Sequence, residues 1–384
     1  MGVCDALSTT EGPRPYTGPV PEIHAKRRRA LRERLQSAEL DALLVTDLRN
    51  IRYLTGFTGS NAALLVHGDG DERSVFCTDG RYTAQSEAEV PDLRRLIERP
   101  SALALVREAD SQLSRGAVVG FESQHVSVEE HDTFADAAET VVLRRAPGLV
   151  ERLREVKDDV EIEALRAACT AADRALADLL DSGGLRPGRT EREVARDLEN
   201  RMAEYGSEEP AFRTIVAAGA HSAVPHHRPT DAVLAAGDFV KLDFGAVVNG
   251  YHSDMTRTIV LGEPAQWQRE LYALVAAAQE AGIQAARPGR EVASVDAAAR
   301  SVIAEAGYGE QFSHGLGHGV GLDVHEAPRL AAVGVGTLST CMAVTVEPGV
   351  YLAGRGGVRI EDTLVVREGT PEILTLSTKE LVVA

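Results

Sequence analysis

Hydrophobic and polar positions in the N-terminal third of the chain predict strands separated by helices. Apolar and basic residues recur at helical spacing over 24–38. The segment 41–66 is typical of two strands joined by a glycine-containing turn, and 73–90 is typical of a third strand that passes into a helix. This order predicts an α/β domain that ends near Pro147-Gly148.

The pattern beyond this point begins with a long amphipathic helical stretch over 151–181 and then repeats itself. LRPGR at 185–189 recurs as ARPGR at 286–290, each between two Ala-rich helical patterns. Two copies of a helix–helix–strand unit should pack about a pseudo-twofold axis, with a shared site between them. The alternative is that one helix-capping loop occurs twice by chance, but the strand patterns that follow, FVKLDFG and AVTVEPG, also correspond.

The length of the chain supports a division into two domains, because 384 residues are too many for one ordinary hydrophobic core. We predict a flexible tail over 1–20 and an α/β N-terminal domain over 21–148. The rest of the chain, 149–384, is predicted to form an α+β domain that contains the internal repeat.

The segment 240–261 predicts a β-hairpin, because Asn249-Gly250 separates two apolar strand patterns and both turn residues accept a positive φ at low cost. In a two-residue turn Asp243 faces Thr256, and the alternation of side chains puts Asp254 on the same face as Thr256. The two carboxylates are then diagonal neighbours, about 7–8 Å apart at the backbone. A single Asp in a strand is usually solvated, but two on one face of a half-buried sheet favour a shared cation.

A glycine-rich segment over 313–326 contains three histidines, His314, His318 and His325. Each histidine alone is more often a structural residue than a ligand, whereas three so close together favour a site. The glycines argue against a helix, so the spacing does not decide which of the three binds a metal.

Two glutamates complete the candidate chemistry. Glu347 ends one strand pattern, and Glu361 lies within another over 356–366, where the local alternative is an exposed acid paired with Arg359. The repeat weakens that alternative, because it places Glu347 opposite Asp243 and Glu361 opposite Asp254. Four carboxylates and one imidazole form a hard ligand set, which suits two divalent ions such as Mn²⁺.

Charge and cysteine content narrow the possible partners and the compartment. The net charge of −17 argues against nucleic acid or an anionic membrane as a partner. No run of about 18 apolar residues suggests a membrane span. The four scattered cysteines are expected to be free thiols in a reducing cytoplasm: Cys4, Cys77, Cys169 and Cys341.

In their order and spacing, HSDMTRT after DFG, HGLGHGVGLDVHE, TVEPGVY and GVRIEDT resemble the Xaa-Pro peptidase family. This family comprises prolidase and aminopeptidase P, and it shares the pita-bread fold with methionine aminopeptidase and creatinase. NIRYLTGFTGS and CTDGRYT resemble the creatinase-type N-terminal domain, which methionine aminopeptidases lack. The resemblance implies hydrolysis of the bond before proline in di- or oligopeptides by a cytoplasmic homodimer. It also implies two divalent metal ions, with Mn²⁺ preferred and Co²⁺ or Zn²⁺ as alternatives.

The same resemblance implies a role for each site position. The metal ligands correspond to Asp243, Asp254, His318, Glu347 and Glu361, with Asp254 and Glu361 bridging the two ions. The catalytic residues correspond to His226, His314, His325 and Glu347, of which Glu347 would move the proton. The candidates for contacting the substrate are His226, Arg329 and Arg359.

The sequence departs from the family pattern at two places. His221 stands where the family commonly has Asn, and Thr340-Cys341 stands where it commonly has Pro-Gly. Between prolidase and aminopeptidase P, the sequence slightly favours the dipeptidase. Alternatives are a same-fold enzyme that acts on another bond, such as a methionine aminopeptidase, or a non-catalytic binding protein. A creatinase is disfavoured because all five ligand positions are filled.

Overall fold

The computed structural model describes residues 21–384, so the predicted tail lies outside the described residues. The chain divides into two compact units, one ending at Arg154 and the other beginning at Glu155. Among residues 21–384, buried apolar side chains cluster within the first unit and, separately, within the second. Each of the units therefore has hydrophobic interior of its own.

The N-terminal unit is a mixed six-stranded sheet with helices, in the strand order β4-β3-β2-β1-β5-β6. Strand β2 runs antiparallel to both of its neighbours, β1 and β3, whereas the pairs β3–β4, β1–β5 and β5–β6 are parallel. The elements are α1 Pro21–Ser37, β1 Ala42–Val45, α2 Leu48–Thr55, β2 Ala62–His67, β3 Val75–Thr78, α3 Thr83–Glu89, β4 Arg94–Ile97, α4 Ser101–Gln112, β5 Val118–Phe121, α5 Val128–Ala137, β6 Val142–Arg145 and α6 Glu151–Arg154.

Helix α2 corrects the prediction that 41–66 contains only two strands and a turn. The Asp47 side chain accepts a hydrogen bond from the N–H of Arg49 and caps the start of the helix, and Gly56 ends it at a φ of 81°. Ile51 and Leu54 are buried, so tertiary packing stabilises a helix of only eight residues.

The first half of the second unit contains two helices and a three-stranded sheet with the order β11-β8-β7. The predicted helix over 151–181 is divided, because α6 ends at Arg154 and α7 starts anew with a capping box at Asp158. The elements are α7 Asp159–Asp181, α8 Glu191–Glu204, β7 Ile215–Ala218, β8 Phe239–Phe244, β9 Val247–Val248, β10 Tyr251–His252 and β11 Met255–Val260.

The second half repeats this plan around a five-stranded sheet with the order β13-β12-β14-β17-β18, and β15 and β16 form a separate ribbon. The elements are α9 Gln266–Ala285, α10 Val292–Glu305, β12 Gly317–Gly319, β13 Glu326–Leu330, β14 Ala343–Val346, β15 Gly349–Leu352, β16 Gly356–Arg359, β17 Asp362–Val365 and β18 Glu372–Ile373. Thus the pattern over 356–366 forms two strands, where one was predicted.

The two corner loops of the repeat have the same backbone geometry. Gly188 and Gly289 both adopt a positive φ, of 90° and 78°. The N–H of Gly188 donates to the carbonyl of Leu234 at 2.9 Å, and that of Gly289 donates to the carbonyl of Leu338 at 2.7 Å. The predicted internal repeat is therefore a structural repeat and not a chance recurrence of four letters.

The hairpin has the predicted register. Val248 pairs with Tyr251, and Asp243 pairs with Thr256. Asn249 and Gly250 both have a positive φ, of 51° and 73°, as a two-residue hairpin turn of this kind requires. The strands on either side of this turn therefore bring Asp243 and the residue that precedes β11, Asp254, to one face of the sheet.

Two further expectations concern membranes and cysteines. Within residues 21–384, no helix combines the length and the apolar character that a membrane span needs. Cys77, Cys169 and Cys341 have free thiols, as predicted, and Cys4 lies outside the described residues.

Candidate metal centre

Strand ends from both halves of the repeat bring four carboxylates together. Asp243 lies in β8 and Asp254 immediately precedes β11, while Glu347 follows β14 and Glu361 precedes β17. Hydrogen bonds join the halves at this point, because the N–H of Glu361 donates to the carbonyl of Thr256 at 3.1 Å. Because the backbone of Glu361 bonds to β11 at this point, the chain leaves the β15–β16 ribbon here, and β16 and β17 are separate strands.

His318 on β12 lies among these acids. Its Nε2 is 3.6 Å from Asp254 Oδ2 and 3.5 Å from Glu347 Oε1. Its Nδ1 is 3.0 Å from the carbonyl oxygen of Gly319, which leaves Nε2 directed at the carboxylates. Asp254, His318 and Glu361 each offer one ligand atom, and these atoms all lie within 4.8 Å of one another.

The pKa values in this cluster show that the nearby protein groups do not supply enough positive charge to keep all of its carboxylates ionised. Burial, together with the nearby carboxylates of Glu361 and Asp243, holds the pKa of Asp254 well above its usual range. Burial also raises the pKa of Glu361 well above its usual range and that of Glu347 to about 8. Burial lowers the pKa of His318 to about 4, so the imidazole is neutral at pH 7 and its Nε2 is able to bind a metal.

Glu361 also supplies a direct test of whether these residues fit a metal. Its Oε2 accepts a hydrogen bond from Thr256 Oγ1 at 2.7 Å, whereas its buried Oε1 has no hydrogen-bond partner among the described residues. A buried carboxylate oxygen without a partner is costly. A divalent cation would satisfy this oxygen and neutralise the neighbouring acids, so the residues present fit such an ion.

The other two histidines of the glycine-rich segment have different surroundings. His314 Nε2 lies 2.9 Å from the hydroxyl of Tyr351, and burial lowers the pKa of His314 to about 4. His325 is exposed, and its ring contacts that of His318 with centroids 4.4 Å apart. The structure therefore brings His318 to the carboxylates, His314 to Tyr351 and His325 to the rim.

Arg359 occupies the centre of a buried hydrogen-bond network. Its guanidinium donates to Asp243, to Thr256 Oγ1 at 3.0 Å and to the hydroxyl of Tyr351 at 2.7 Å. It also donates to the carbonyl of Pro225 at 3.2 Å. The alternative in which Glu361 is an exposed acid paired with Arg359 is excluded, because both side chains are buried.

Two further candidates line the open side of the cluster. His226 is exposed, and burial of part of its ring and the nearby Arg359 lower its pKa. Arg329 is exposed as well and pairs with His318 across β12 and β13, so it lies on the same face of the sheet. Within residues 21–384, the side chains of His226 and Arg329 have no hydrogen bond and no ion pair.

Sequence reasoning missed Tyr351 and Lys241. Tyr351 connects His314 to Arg359, and its only sequence signal was its place in the ribbon after Glu347. Lys241 is fully buried and donates to the carbonyls of Val224 and Pro225 at 2.6 and 3.1 Å. Lys241 is two residues from Asp243, so strand alternation could have placed it on the same face.

A buried set of four carboxylates and one imidazole, shared between two halves of one unit, is the kind of site that holds divalent cations. Residues 163–368 match the model of metallopeptidase family M24, and residues 27–156 match that of the Creatinase/Prolidase N-terminal domain. The chain belongs to metallopeptidase family M24 and is a peptidase with a creatinase-type N-terminal domain. The pita-bread fold that the sequence predicted is thereby confirmed.

Relatives and solved structures agree with this family. The chain is 35% identical over 343 residues to a Xaa-Pro dipeptidase of Pyrococcus furiosus, covering 89% of this chain and 95% of the relative. A structure of a Xaa-Pro dipeptidase from Bacillus anthracis has a TM-score of 0.89 at 37% identity, covering 94% of this chain and all of that one. A structure of an X-Pro aminopeptidase from Thermotoga maritima has a TM-score of 0.84 at 33% identity, covering 93% and 99% of the two chains.

Proposed function

We propose that this peptidase is a Xaa-Pro dipeptidase that hydrolyses the bond before proline with two divalent metal ions. The side chains that would hold the ions are Asp243, Asp254, His318, Glu347 and Glu361, with Asp254 and Glu361 as the carboxylates that both ions would share. The observation that carries it is the convergence of these five side chains with one carboxylate oxygen of Glu361 unpaired. The dipeptidases among the similar proteins support the substrate class.

The chemistry divides between the ions and the side chains. When bound, the ions supply Lewis-acid activation of a water molecule and of the scissile carbonyl. Glu347 is placed by our proposal to take the proton of the attacking water and to deliver it to the leaving nitrogen. His226 and His325 orient the substrate from the open side, where both rings are exposed. His314 acts through Tyr351, which fixes the guanidinium of Arg359.

The proline ring and the free carboxylate of the substrate need separate recognition. Because the proline nitrogen has no hydrogen, the site has to recognise the ring by its shape and not by an N–H donor. Arg329 is exposed and has no ion pair among the described residues, so we favour it for the substrate carboxylate. Arg359 can serve in this role only where Asp243 releases its guanidinium to the substrate.

The proposal also covers the identity of the metal ion, the compartment and the oligomeric state. We propose Mn²⁺ as the ion, because oxygen ligands dominate the set, with Co²⁺ or Zn²⁺ as the alternatives. The cytoplasm as compartment is compatible with the free thiols of Cys77, Cys169 and Cys341. The homodimer that the sequence analysis expected stays a prediction.

Aminopeptidase P activity is the second candidate function, and the similarity to the Thermotoga maritima X-Pro aminopeptidase favours it. Product analysis separates the two functions. Metal-free protein is supplied with Mn²⁺, Co²⁺ or Zn²⁺ and incubated with Xaa-Pro dipeptides and with Xaa-Pro-Yaa tripeptides. We expect cleavage of the dipeptides to dominate with Mn²⁺, and a preference for tripeptides would assign the aminopeptidase function instead.

The metal ligands are tested by Asp254→Asn, which removes one bridging carboxylate. We expect turnover of a Xaa-Pro dipeptide to fall by at least about 100-fold and bound metal to fall below two ions per chain. Asp231→Asn is the matched control, since this acid is exposed and, among the described residues, is paired only with Arg192. Wild-type turnover of Asp254→Asn in metal-replete buffer would rule out the two-metal mechanism.

A further inference from the structure

A buried acid outside the metal centre collects hydrogen bonds from a single segment of the chain. Glu191 is the first residue of α8, and its side chain is fully buried. Its Oε1 accepts from the N–H of Ala218 and from His221 Nδ1, both at 2.9 Å. Its Oε2 accepts from His227 Nε2 at 2.9 Å and from the N–H and hydroxyl of Thr230 at 2.9 and 2.7 Å.

The internal repeat shows that the fold does not need an acid at this position. The N–H of Glu191 donates to the carbonyl of Ala232, and in the second half the N–H of Val292 donates to the carbonyl of Gly336 in the same corner geometry. Val292 is fully buried, like Glu191. A buried valine therefore completes the same helix start in one half, and the acid of the other half serves a different purpose.

The five donors all belong to the segment 218–230, which begins at Ala218, the last residue of β7, and otherwise contains only a 3₁₀ turn over Gly219–Ala223 as regular structure. The rings of His221 and His227 stack with centroids 4.4 Å apart and an interplanar angle of 27°. This arrangement directs both imidazoles to the same carboxylate. On the side that faces α8, Glu191 is thus the only acid among the described residues that holds the segment.

The other side of the segment is held by two buried basic side chains beside the carboxylate cluster, Lys241 and Arg359. Lys241 donates to the carbonyls of Val224 and Pro225, and Arg359 donates to that of Pro225. His226 lies between Pro225 and His227, so the residue before it and the residue after it are both fixed. Its own imidazole is exposed and has no hydrogen bond among the described residues.

A metal ion bound by Glu191, His221 and His227 is a less suitable explanation, although their ligand atoms lie within 4.8 Å of one another. The carboxylate already accepts five hydrogen bonds, three of them from Ala218 and Thr230, and these occupy its lone pairs. The network is complete without an ion, unlike that of Glu361.

We propose that Glu191 is a positioning residue, which holds the segment 218–230 through His221 and His227 so that the His226 imidazole faces the substrate. This inference rests on the proposed function, because it takes His226 as a substrate contact. It gives His221 a defined role, although this is one of the two positions at which the chain departs from its family.

Glu191→Val tests the proposal, because it copies the residue of the second half. We expect faster hydrogen–deuterium exchange over 218–230. We also expect kcat/KM for a Xaa-Pro dipeptide to decrease by about 10- to 100-fold, as is usual when a residue that supports a site is lost. Two metal ions should stay bound per chain. Glu191→Gln keeps a carbonyl oxygen for some of the donors, so it should lose less and serves in place of Glu191→Val if that variant does not fold.

A double-mutant cycle with His226→Ala separates positioning from a general loss of stability. If Glu191 acts through His226, adding Glu191→Val to His226→Ala should lower kcat/KM no further. Leu198→Ala is the control, since it removes buried side-chain atoms from the same helix and should lower Tm while kcat/KM is retained.

Two results would overturn the proposal: exchange over 218–230 that is unchanged in Glu191→Val, or effects of Glu191→Val and His226→Ala that multiply. Failure of the proposed function is seen separately and first. It would appear as an inactive wild-type protein on Xaa-Pro dipeptides, or as full activity in His226→Ala, before Glu191 is altered.

Discussion

At the level of single residues, the metal centre is a set of acids that the fold has brought together at a cost in free energy. Asp254, Glu347 and Glu361 all have raised pKa values, chiefly because burial disfavours their ionised forms. Arg359 is the one buried cation within hydrogen-bond distance of an acid of this cluster among the described residues, and its donation goes to Asp243. In the proposed function, divalent ions supply the missing positive charge.

This imbalance predicts how pH acts on the metal-free protein. A carboxyl group whose pKa is raised on folding contributes stability below its unfolded pKa, and that stability is lost as the pH rises through the folded value, about 8 for Glu347. Bound cations favour the ionised form and remove this loss. We therefore expect the difference in Tm between metal-loaded and metal-free protein to widen from about pH 5 to about pH 8. Differential scanning calorimetry would measure it, and a constant or narrowing difference would contradict the prediction.

Tyr351 gives a second prediction at this level, because its hydroxyl joins Arg359 and His314. Tyr351→Phe leaves the buried Arg359 and the half-buried His314 without this hydrogen bond, so the free energy of unfolding should fall by about 1–3 kcal/mol, with a loss of kcat/KM. Urea denaturation would measure it. Tyr205→Phe is the control, since the hydroxyl of Tyr205 has no hydrogen bond among the described residues, and an equal loss in both variants would refute the role of the network.

The sequence could not select among the three histidines, and the physical reason is plain in the structure. His314, His318 and His325 share a segment of turns and short strands, where side-chain direction does not follow a fixed period. His318 lies among the carboxylates because β12 pairs with both β13 and β14. Such long-range pairing is not encoded in the spacing of the three residues.

Among the elements, the hairpin of β8 and β11 was the most predictable from sequence. Asn249-Gly250 sets the turn, and the turn sets the register that puts Asp243 opposite Thr256. Gly250→Val should therefore disturb Asp254 and Asp243, which lie four and seven residues from the substitution. A valine at a φ of 73° should lower the free energy of unfolding by about 1–2 kcal/mol and reduce metal content.

Urea denaturation and metal analysis of Gly250→Val would check this prediction. Asn249→Gly is the matched control, because glycine adopts the φ of 51° without strain and should retain the bound metal. If the two variants bound equal amounts of metal, the turn would not control the position of the acids.

Helix α2 and the Glu191 network were the elements that sequence reasoning did not find. The short helix lies between two apolar strands, whose patterns concealed its own, and its stability comes from the Asp47 cap and from packing. In the sequence, Glu191 could not be told from an ordinary exposed acid at the start of a helix, because its hydrogen-bond partners are 27 to 39 residues away in the chain. Neither feature has a local signal strong enough to outweigh the commoner interpretation.

For the whole molecule, the internal repeat accounts for the placement of the site. Asp243 and Asp254 come from the first half of the second unit, and His318, Glu347 and Glu361 come from the second half. The repeat was visible in the sequence because its corner loops kept the same letters. The unequal sheets of the two halves were not, since the added strands β13 and β18 have no counterpart in the first sheet.

The proposed ligands come from both halves, and this predicts the response to metal removal. Chelation should increase hydrogen exchange in β11 and in β17 together, because the ions neutralise acids at the start of each strand. The strands β1 to β5 of the N-terminal unit serve as the internal control and should be unchanged. Exchange measured by mass spectrometry would contradict the prediction if only one half responded.

The pair of Glu191 and Val292 also has an evolutionary meaning. If the two halves arose by duplication, the start of the second helix in each copy began as the same residue and has since diverged. The second half has the buried side chain of Val292 at this position, whereas the first half has Glu191, which binds the segment 218–230. A single codon at this position would then distinguish the helix start that anchors the segment 218–230 from the helix start that only packs, and ancestral reconstruction could date that step against the origin of the proposed metal ligands.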